Sequence, residues 1–302
     1  MSSCIFDAIL GSKTIAQCDS ASFQANIEVT PLRNSGAIDP VAHYITGGAP
    51  KGMWTTTDLA TLLGSGGVLP AAGLSIAAAS NIDLPWSRRL AGSTRAGSTS
   101  HTRIRGATGG MAVLSRIQAS QGQPFASADF EVGFLSSDGL TAPCSIAVDQ
   151  SLSSQTAVNV FRLGPAYGTK SGGASTQVKG VVGVTVNPNV ELLFEKFDGA
   201  IWPINAYIKE RNPTIEVQFL DEEDLDFWCD LYNQLTAFTV YLQKMTAGGT
   251  VVAGATSEHI ALSFADAVVS CEGISGSGTD TALPTMRITG ESLSVSVASA
   301  LP

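Results

Sequence analysis

The clearest pattern along the chain lies between residues 214 and 220. There Ile215, Val217 and Phe219 fall on one face, and Thr214, Glu216 and Gln218 on the other. Successive strand side chains point to opposite faces, so a period of two predicts a strand with one buried side. Upstream, Val181 to Phe194 is rich in β-branched residues and alternates in part. A turn follows at Asp198-Gly199, where glycine takes positive φ without steric penalty, and then Ile201 to Ile208. Beyond residue 220 the period changes. Leu225, Trp228, Leu231 and Tyr232 recur at three- and four-residue steps behind Asp221-Glu222-Glu223-Asp224. This predicts a helix to about Asn233, its acidic run at the positive N-terminal end. A calcium loop is the other reading of that run, but no glycine sits at the required bend and the spacing differs.

The same order occurs earlier in the chain: Phe23 to Val29, a turn at Ser35-Gly36, Ile38 to Ile45, a break at Pro50, Met53 to Thr55, and a short helical run from Thr57 to Leu63. Residues 26 to 50 align without a gap on residues 189 to 213. Asn26, Glu28, Gly36-Ala37-Ile38, Pro40, Tyr44-Ile45 and Pro50 fall on their identical counterparts, nine identities in 25 positions. An ungapped match of this density between segments of one strand–turn–strand pattern points to a duplicated unit. Downstream, Ala112-Val113-Leu114-Ser115 resembles Ala267-Val268-Val269-Ser270, and the stretch after Pro124 resembles the stretch after Pro284. The expected organisation is a first domain over 1–165, carrying a Gly/Ala/Ser-rich insertion from 64 to 82 and an Arg-bearing stretch, and a second over 166–302. The segment Gly164 to Gly173 is the natural linker.

Composition supports this mainly β reading. The 302 residues include 31 Gly, are 44% hydrophobic, and carry only 14% charged and 7% aromatic residues, which suits short strands and tight turns. The N-terminus has no basic region and its apolar stretch is broken by Asp7, so synthesis and retention in a cytoplasm are expected. Val68 to Ile82 is too short and too rich in Ala, Gly and Ser for a membrane span. Cys4, Cys18, Cys144, Cys229 and Cys271 are scattered without a paired spacing, which suits reduced thiols in a packed interior.

Charge separates the halves. Residues 1–165 hold ten basic and ten acidic side chains, whereas 166–302 hold seven and sixteen, so the second half carries the whole net charge of −9. Arg88, Arg89, Arg95, Arg103, Arg105 and Arg116 lie in a stretch free of acids from Asp83 to Asp129. Three readings compete: a contact with the acidic half of a neighbouring subunit, a solvated loop, and a nucleic-acid contact. The last lacks the aromatic residues of a stacking surface.

Candidate chemistry is sparse. His43, His101 and His259 form no metal-ligand spacing, and His101 and His259 follow similar Thr-Ser segments, as remnants of a duplication would. Gly11-Ser12-Lys13-Thr14 and Gly168-Thr169-Lys170-Ser171 lack the spacing of a phosphate loop, and Gly273 to Gly278 misses a nucleophile elbow by one position. Carboxylate pairs are brought together only by a fold, so an enzyme keeps an opening here without a residue to carry it. No catalytic, metal or cofactor-binding residue is assigned.

Val184-Thr185-Val186-Asn187 through Asp198-Gly199-Ala200-Ile201-Trp202-Pro203, then Ile208-Lys209-Glu210-Arg211-Asn212-Pro213-Thr214-Ile215-Glu216-Val217 and Asp224-Leu225, resemble the tail tube domain of long-tailed bacteriophages. The resemblance is clearest over about 180 to 235. It is fainter over 23 to 63, where Gly47-Gly48-Ala49-Pro50 replaces the charged phrase before the proline. It implies β-sandwich or barrel domains, each with a short flanking helix, whose sheets join around a ring and line a channel for double-stranded DNA. Two domains per chain imply homotrimer rings of pseudo-sixfold symmetry that stack into the virion tail, assembled in the host cytoplasm beside other tail proteins. They also imply an acidic channel wall, for which Glu191, Glu195, Asp198 and Glu216 are the candidates. The other readings are a distal tail or terminator component of the same fold, and a non-viral β-domain binding protein.

Overall fold

The computed structural model describes residues 3–5, 7–11, 13–36, 38–64, 74–76, 82–88, 101–106, 109–150, 158–220, 228, 232–275 and 283–302. In chain order the first half supplies β1 (Ser3–Ile5), β2 (Ala8–Leu10), β3 (Lys13–Ile15), β4 (Cys18–Gln24), β5 (Ile27–Leu32), β6 (Ala42–Gly48), β7 (Lys51–Thr56) and helix α1 (Leu59–Leu63). It continues through β8 (Leu74–Ile76), β9 (Ile82–Arg88), β10 (His101–Gly106), β11 (Gly110–Ser120), β12 (Ser127–Phe134) and β13 (Cys144–Gln150). The rest supplies β14 (Phe161–Lys170), β15 (Ser175–Val178), β16 (Val181–Asn187), β17 (Val190–Glu195), β18 (Asn205–Arg211) and β19 (Thr214–Phe219). It ends with β20 (Tyr232–Lys244), β21 (His259–Ser275), β22 (Leu283–Gly290) and β23 (Leu293–Ser299). The protein is mainly β, and every described pairing is antiparallel. Its largest sheet has 13 strands, along the path β15-β14-β20-β21-β22-β19-β16-β11-β12-β7-β4 with β23 and β8 attached.

Alternation decides which face is buried. In β12, Ala128, Phe130 and Val132 are buried while Ser127, Asp129 and Glu131 stand half-exposed on the other side. β19 does the same with Ile215 and Val217 against Glu216 and Gln218. The inward residues of both halves belong to one apolar cluster that includes Trp54, Phe130, Phe134, Ile215, Phe219, Trp228 and Phe238. Trp54 and Phe130 stack there at 5.8 Å and 25°.

The two halves pair their strands alike. Hairpin β5–β6 sets Ile27 opposite Gly48, hairpin β17–β18 sets Val190 opposite Arg211, and both slip register after the second pair, at Glu28/Val29 and Glu191/Leu192. The base of each hairpin is an asparagine in the left-handed region, Asn26 at φ 45 and Asn189 at φ 47. Their amides donate to Ala49 O at 3.0 Å and Asn212 O at 2.8 Å. Asparagine tolerates this conformation because its short amide can hydrogen-bond locally. The flanking ladders match too: β4–β7 and β16–β19 bulge after their first pair, at Cys18/Ser20 and Val181/Gly183. β21 runs unbroken where the first half has β10 followed by β11, with bulges at corresponding places, Leu114/Arg116 and Cys271/Gly273, His101/Arg103 and His259/Ala261.

Four sequence expectations change. Gly164 to Gly173 is no linker, because most of it is β14, paired with both β15 and β20. The described arginines of the Arg-bearing stretch stand on strands, Arg88 on β9, Arg103 and Arg105 on β10 and Arg116 on β11. The downstream match shifts by two residues: Leu114 faces Phe130 and Cys271 faces Met286, which makes Cys271, and not Val269, the counterpart of Leu114. A slip of two keeps every side chain on its own face, so a run of Ala, Val and Ser does not reveal it. Pro124 and Pro284 are likewise not counterparts, since Pro284 faces Ile274 where Ala128 faces Ile117. In the first half the expected helix is α1, where Asp58 Oδ1 accepts from Thr61 N at 3.3 Å. The helix expected over 221–233 lies outside the described residues except at Trp228, which is helical and fully buried, and at Tyr232 and Asn233, which open β20.

Candidate assembly surfaces

The halves meet through main chain as well as side chains. β11 of the first half pairs with β16 of the second, Ile117 opposite Val186 through Ser120 opposite Gly183. Gln121 extends the seam, its backbone N–H reaching Val182 O at 2.9 Å and its Nε2 reaching Val181 O at 2.9 Å. Hairpin β17–β18 and the turn between its strands lean on the first half. Gly139 O accepts from the backbone of Ile201 (2.8 Å) and Trp202 (2.9 Å), and Pro203 O accepts from Ser136 N (2.8 Å). Trp202 packs on Gly48, Phe194 on Gly133, and Ala200 with Ile204 on Gly139. At each of these glycines an added Cβ would collide with the side chain named. Lys51 Nζ lies 5.1 Å from the Phe194 ring centroid and 2.8 Å from Glu131. These small-against-large pairings were legible only as isolated glycines in the sequence.

The face of the large sheet that turns away from the core carries paired charges, with Met53 and Val268 exposed among them. Lys51 lies against Glu131, Arg116 against Asp129 at 2.7 Å, and Arg287 against Glu272 at 3.7 Å. Thr55 donates to Asp129 at 2.6 Å. Glu216 is on this face, opposite Arg287 and Thr185 in register, in a hollow shared with Gln118, Ser120, Gln218 and Thr285. Of the four acidic residues proposed for a channel wall it is the one on the large sheet. Glu191 and Glu195 are on β17 and Asp198 is in the turn after it, at φ 50. Glu191 pairs with Lys209 at 2.9 Å, and that bond first of all raises the Lys209 pKa. The Tyr207 hydroxyl is pushed up by desolvation and then by its hydrogen bond to Glu195.

The proposed arginine contacts do not form one cluster. Arg103 and Arg105 stand on β10, on the face opposite buried Ile104, and Arg105 is exposed. Arg116 sits on the charge-bearing face already described. Arg88 ends β9 with its backbone opposite Ser3, while Arg89 and Arg95 lie outside the described residues.

His259 is fully buried, its Nδ1 accepting from Lys244 N at 3.1 Å and its Nε2 lying 3.2 Å from Ala253 O. Main chain therefore lies against both ring nitrogens, which gives the imidazole a structural place. Its counterpart His101 starts the corresponding bulged pair in β10. Cys18, Cys144 and Cys271 are free thiols; burial pushes Cys18 up to about 12 and Cys144 to about 11. Thiols so far from ionisation are poor nucleophiles. Among the described residues, no three His, Cys, Asp or Glu side chains gather as a metal site, and no helix is long and apolar enough to cross a membrane.

Compared with known proteins, the chain matches no family model and no curated protein.

Proposed function

We propose that this chain is a structural subunit of a bacteriophage tail tube, two tandem tube-like domains whose sheets join between chains around a channel that passes double-stranded DNA. The observation that carries the reading is the seam between β11 and β16. One half of the chain already extends the sheet of the other edge to edge, and the strand corresponding to β16, β4, ends the sheet with an edge that no strand pairs among the described residues. A free strand edge is a template for another strand, and a ring of chains removes it.

Size and charge favour several chains over one. The strands in question are β4, β7, β12 and β11 in the first half and β16, β19, β22 and β21 in the second. An eight-stranded barrel leaves an interior that side chains just fill, which would bury Lys51, Glu131, Arg116 and Glu216 together. At a strand spacing of about 4.8 Å, three chains would close a barrel roughly 37 Å across between backbones, wide enough for a nucleic-acid duplex. On the charge-bearing face Lys51, Arg116 and Arg287 each already have a carboxylate, so a passing phosphate chain meets neutralised cations beside Glu216. The net charge of −9 adds a repulsion that discourages sticking. The reading assigns a conduit and no catalysis. Negative-stain microscopy of the purified protein is the test. Stacked rings or tubes with three chains per ring are expected, and a persistent monomer at high concentration would overturn the reading.

A further inference from the structure

The correspondence between the halves specifies which surfaces of two chains meet. The seam inside the chain has two parts: β11 residues 117–120 on the edge of β16, and hairpin β17–β18 seated on the first half. Each part has a counterpart that lacks such a partner among the described residues. β4 corresponds to β16 but, among the described residues, forms its ladder only with β7. β21 beyond Ser270 corresponds to the paired end of β11, and among the described residues it forms a ladder there only with β22. Hairpin β5–β6 repeats the register of β17–β18, yet its apolar residues are bare. Ile38 is 87% exposed, Val41 55%, Val29 52% and Ile45 49%. Their counterparts Ile201, Ile204, Leu192 and Ile208 are half-buried.

We infer that chains of this protein join head to tail, with the end of β21 of one chain adding antiparallel to β4 of the next. The inference rests on the proposed self-assembly and deepens it to a register. Ile117 and Ile274 hold the same place in their halves, facing Ala128 and Pro284 respectively. Val186 and Phe23 also hold the same place, facing Ile215 and Gly52. The internal pair Ile117–Val186 therefore becomes Ile274 of one chain opposite Phe23 of its neighbour, and Gln118–Thr185 becomes Ser275 opposite Ser22. The bulge at Cys18/Ser20 does not bar this, because β16 carries the same bulge at Val181/Gly183 and still pairs with β11. β4 also lacks the lysine and proline that guard a solvent-facing edge. The same docking brings the second half of the preceding chain beside hairpin β5–β6 of the next, without a counterpart of the Ser136–Thr141 loop. Unlike surfaces meet at every contact, so the arrangement closes into a ring or continues as a filament.

The register can be tested by mixing Ser22→Cys protein with Ser275→Cys protein under mild oxidation, and mapping disulfide-linked peptides by mass spectrometry. Linked 22–275 peptides between chains are expected. Gln24→Cys replacing Ser22→Cys moves the thiol one side-chain repeat along the edge and should lower the yield about tenfold, since a disulfide tolerates little displacement. Rings or tubes that form without the 22–275 link, or with equal yield at position 24, would overturn this junction and leave the tube reading standing. Absence of both link and assembly would overturn both.

Discussion

Hairpins β5–β6 and β17–β18 are one structure in two environments. They share asparagine bases, pair registers and a bulge at the same step. They differ in what covers them. Trp202 in the second hairpin's turn is 8% exposed against Gly48, whereas Ile38 in the first hairpin's turn is 87% exposed. The cover comes from the first half's own chain, through Gly48, Gly133 and the Ser136–Thr141 loop. The connection between β22 and β23 is only two residues, Glu291 and Ser292, so the second half has no equivalent of that loop. Local sequence thus sets the hairpin, and the neighbour sets whether its apolar residues are buried. The exposed apolar residues of the first hairpin are where the proposed junction would place the preceding chain.

The largest effect should come from removing the covered anchor. Trp202→Ala leaves a cavity over Gly48 and should destabilise the protein by about 3 kcal/mol, read as a lowered denaturant midpoint with an unchanged slope. A loss near that of a solvent-exposed site would mean that the hairpin is not held by its neighbour.

Next comes the loop that holds it. Asp138 accepts from Thr141 N (2.7 Å), Leu140 N (2.9 Å) and the hydroxyls of Thr141 (2.8 Å) and Ser136 (3.1 Å). These bonds, those from Thr141 and Leu140 backbone foremost, hold its carboxyl well below the usual carboxylate range. A depressed folded-state pKa contributes stability that is complete above the unfolded value near 4 and is lost as pH falls below it. Asp138→Ala should therefore lower stability at neutral pH and flatten the decline below roughly pH 4, read from denaturation midpoints along a pH series. Parallel acid profiles for the two proteins would show that the carboxylate contributes nothing to the loop.

The smallest effect on a single chain should come from the bare hairpin. Ile38→Asp changes a side chain that is 87% exposed, so its unfolding free energy should change by less than about 0.5 kcal/mol. It should nonetheless shift assembly to higher concentration in light scattering or microscopy, because it places a charge in the contact. Unchanged assembly would break the comparison between the two hairpins.

Residues 26–50 and 189–213 carried the repeat in plain view because turn residues and flanking prolines are locally required. Asn26 and Asn189 must both take positive φ, and Pro50 and Pro213 both end a hairpin. The later strands were harder to align, since short Ala, Val and Ser runs look alike at any even offset. Gly164 to Gly173 read as a linker because glycine is common in turns. Gly168 is instead small because Trp228 and Phe238 press on it. Among the four candidate wall residues, composition could not separate Glu216 on the sheet from Glu191, Glu195 and Asp198 on and beside a hairpin strand. That difference depends on which strand each one occupies.

By itself the sequence determined a mainly β chain, the duplicated hairpin with its turns and the short helical run that forms α1. All of these follow from local periodicity and residue type. Only tertiary structure decided that β11 extends the second half through β16, that the second hairpin is covered while the first is exposed, and that β4 ends the large sheet among the described residues. Partners across a sheet are chosen by contacts between residues far apart in the chain, and no local pattern records them.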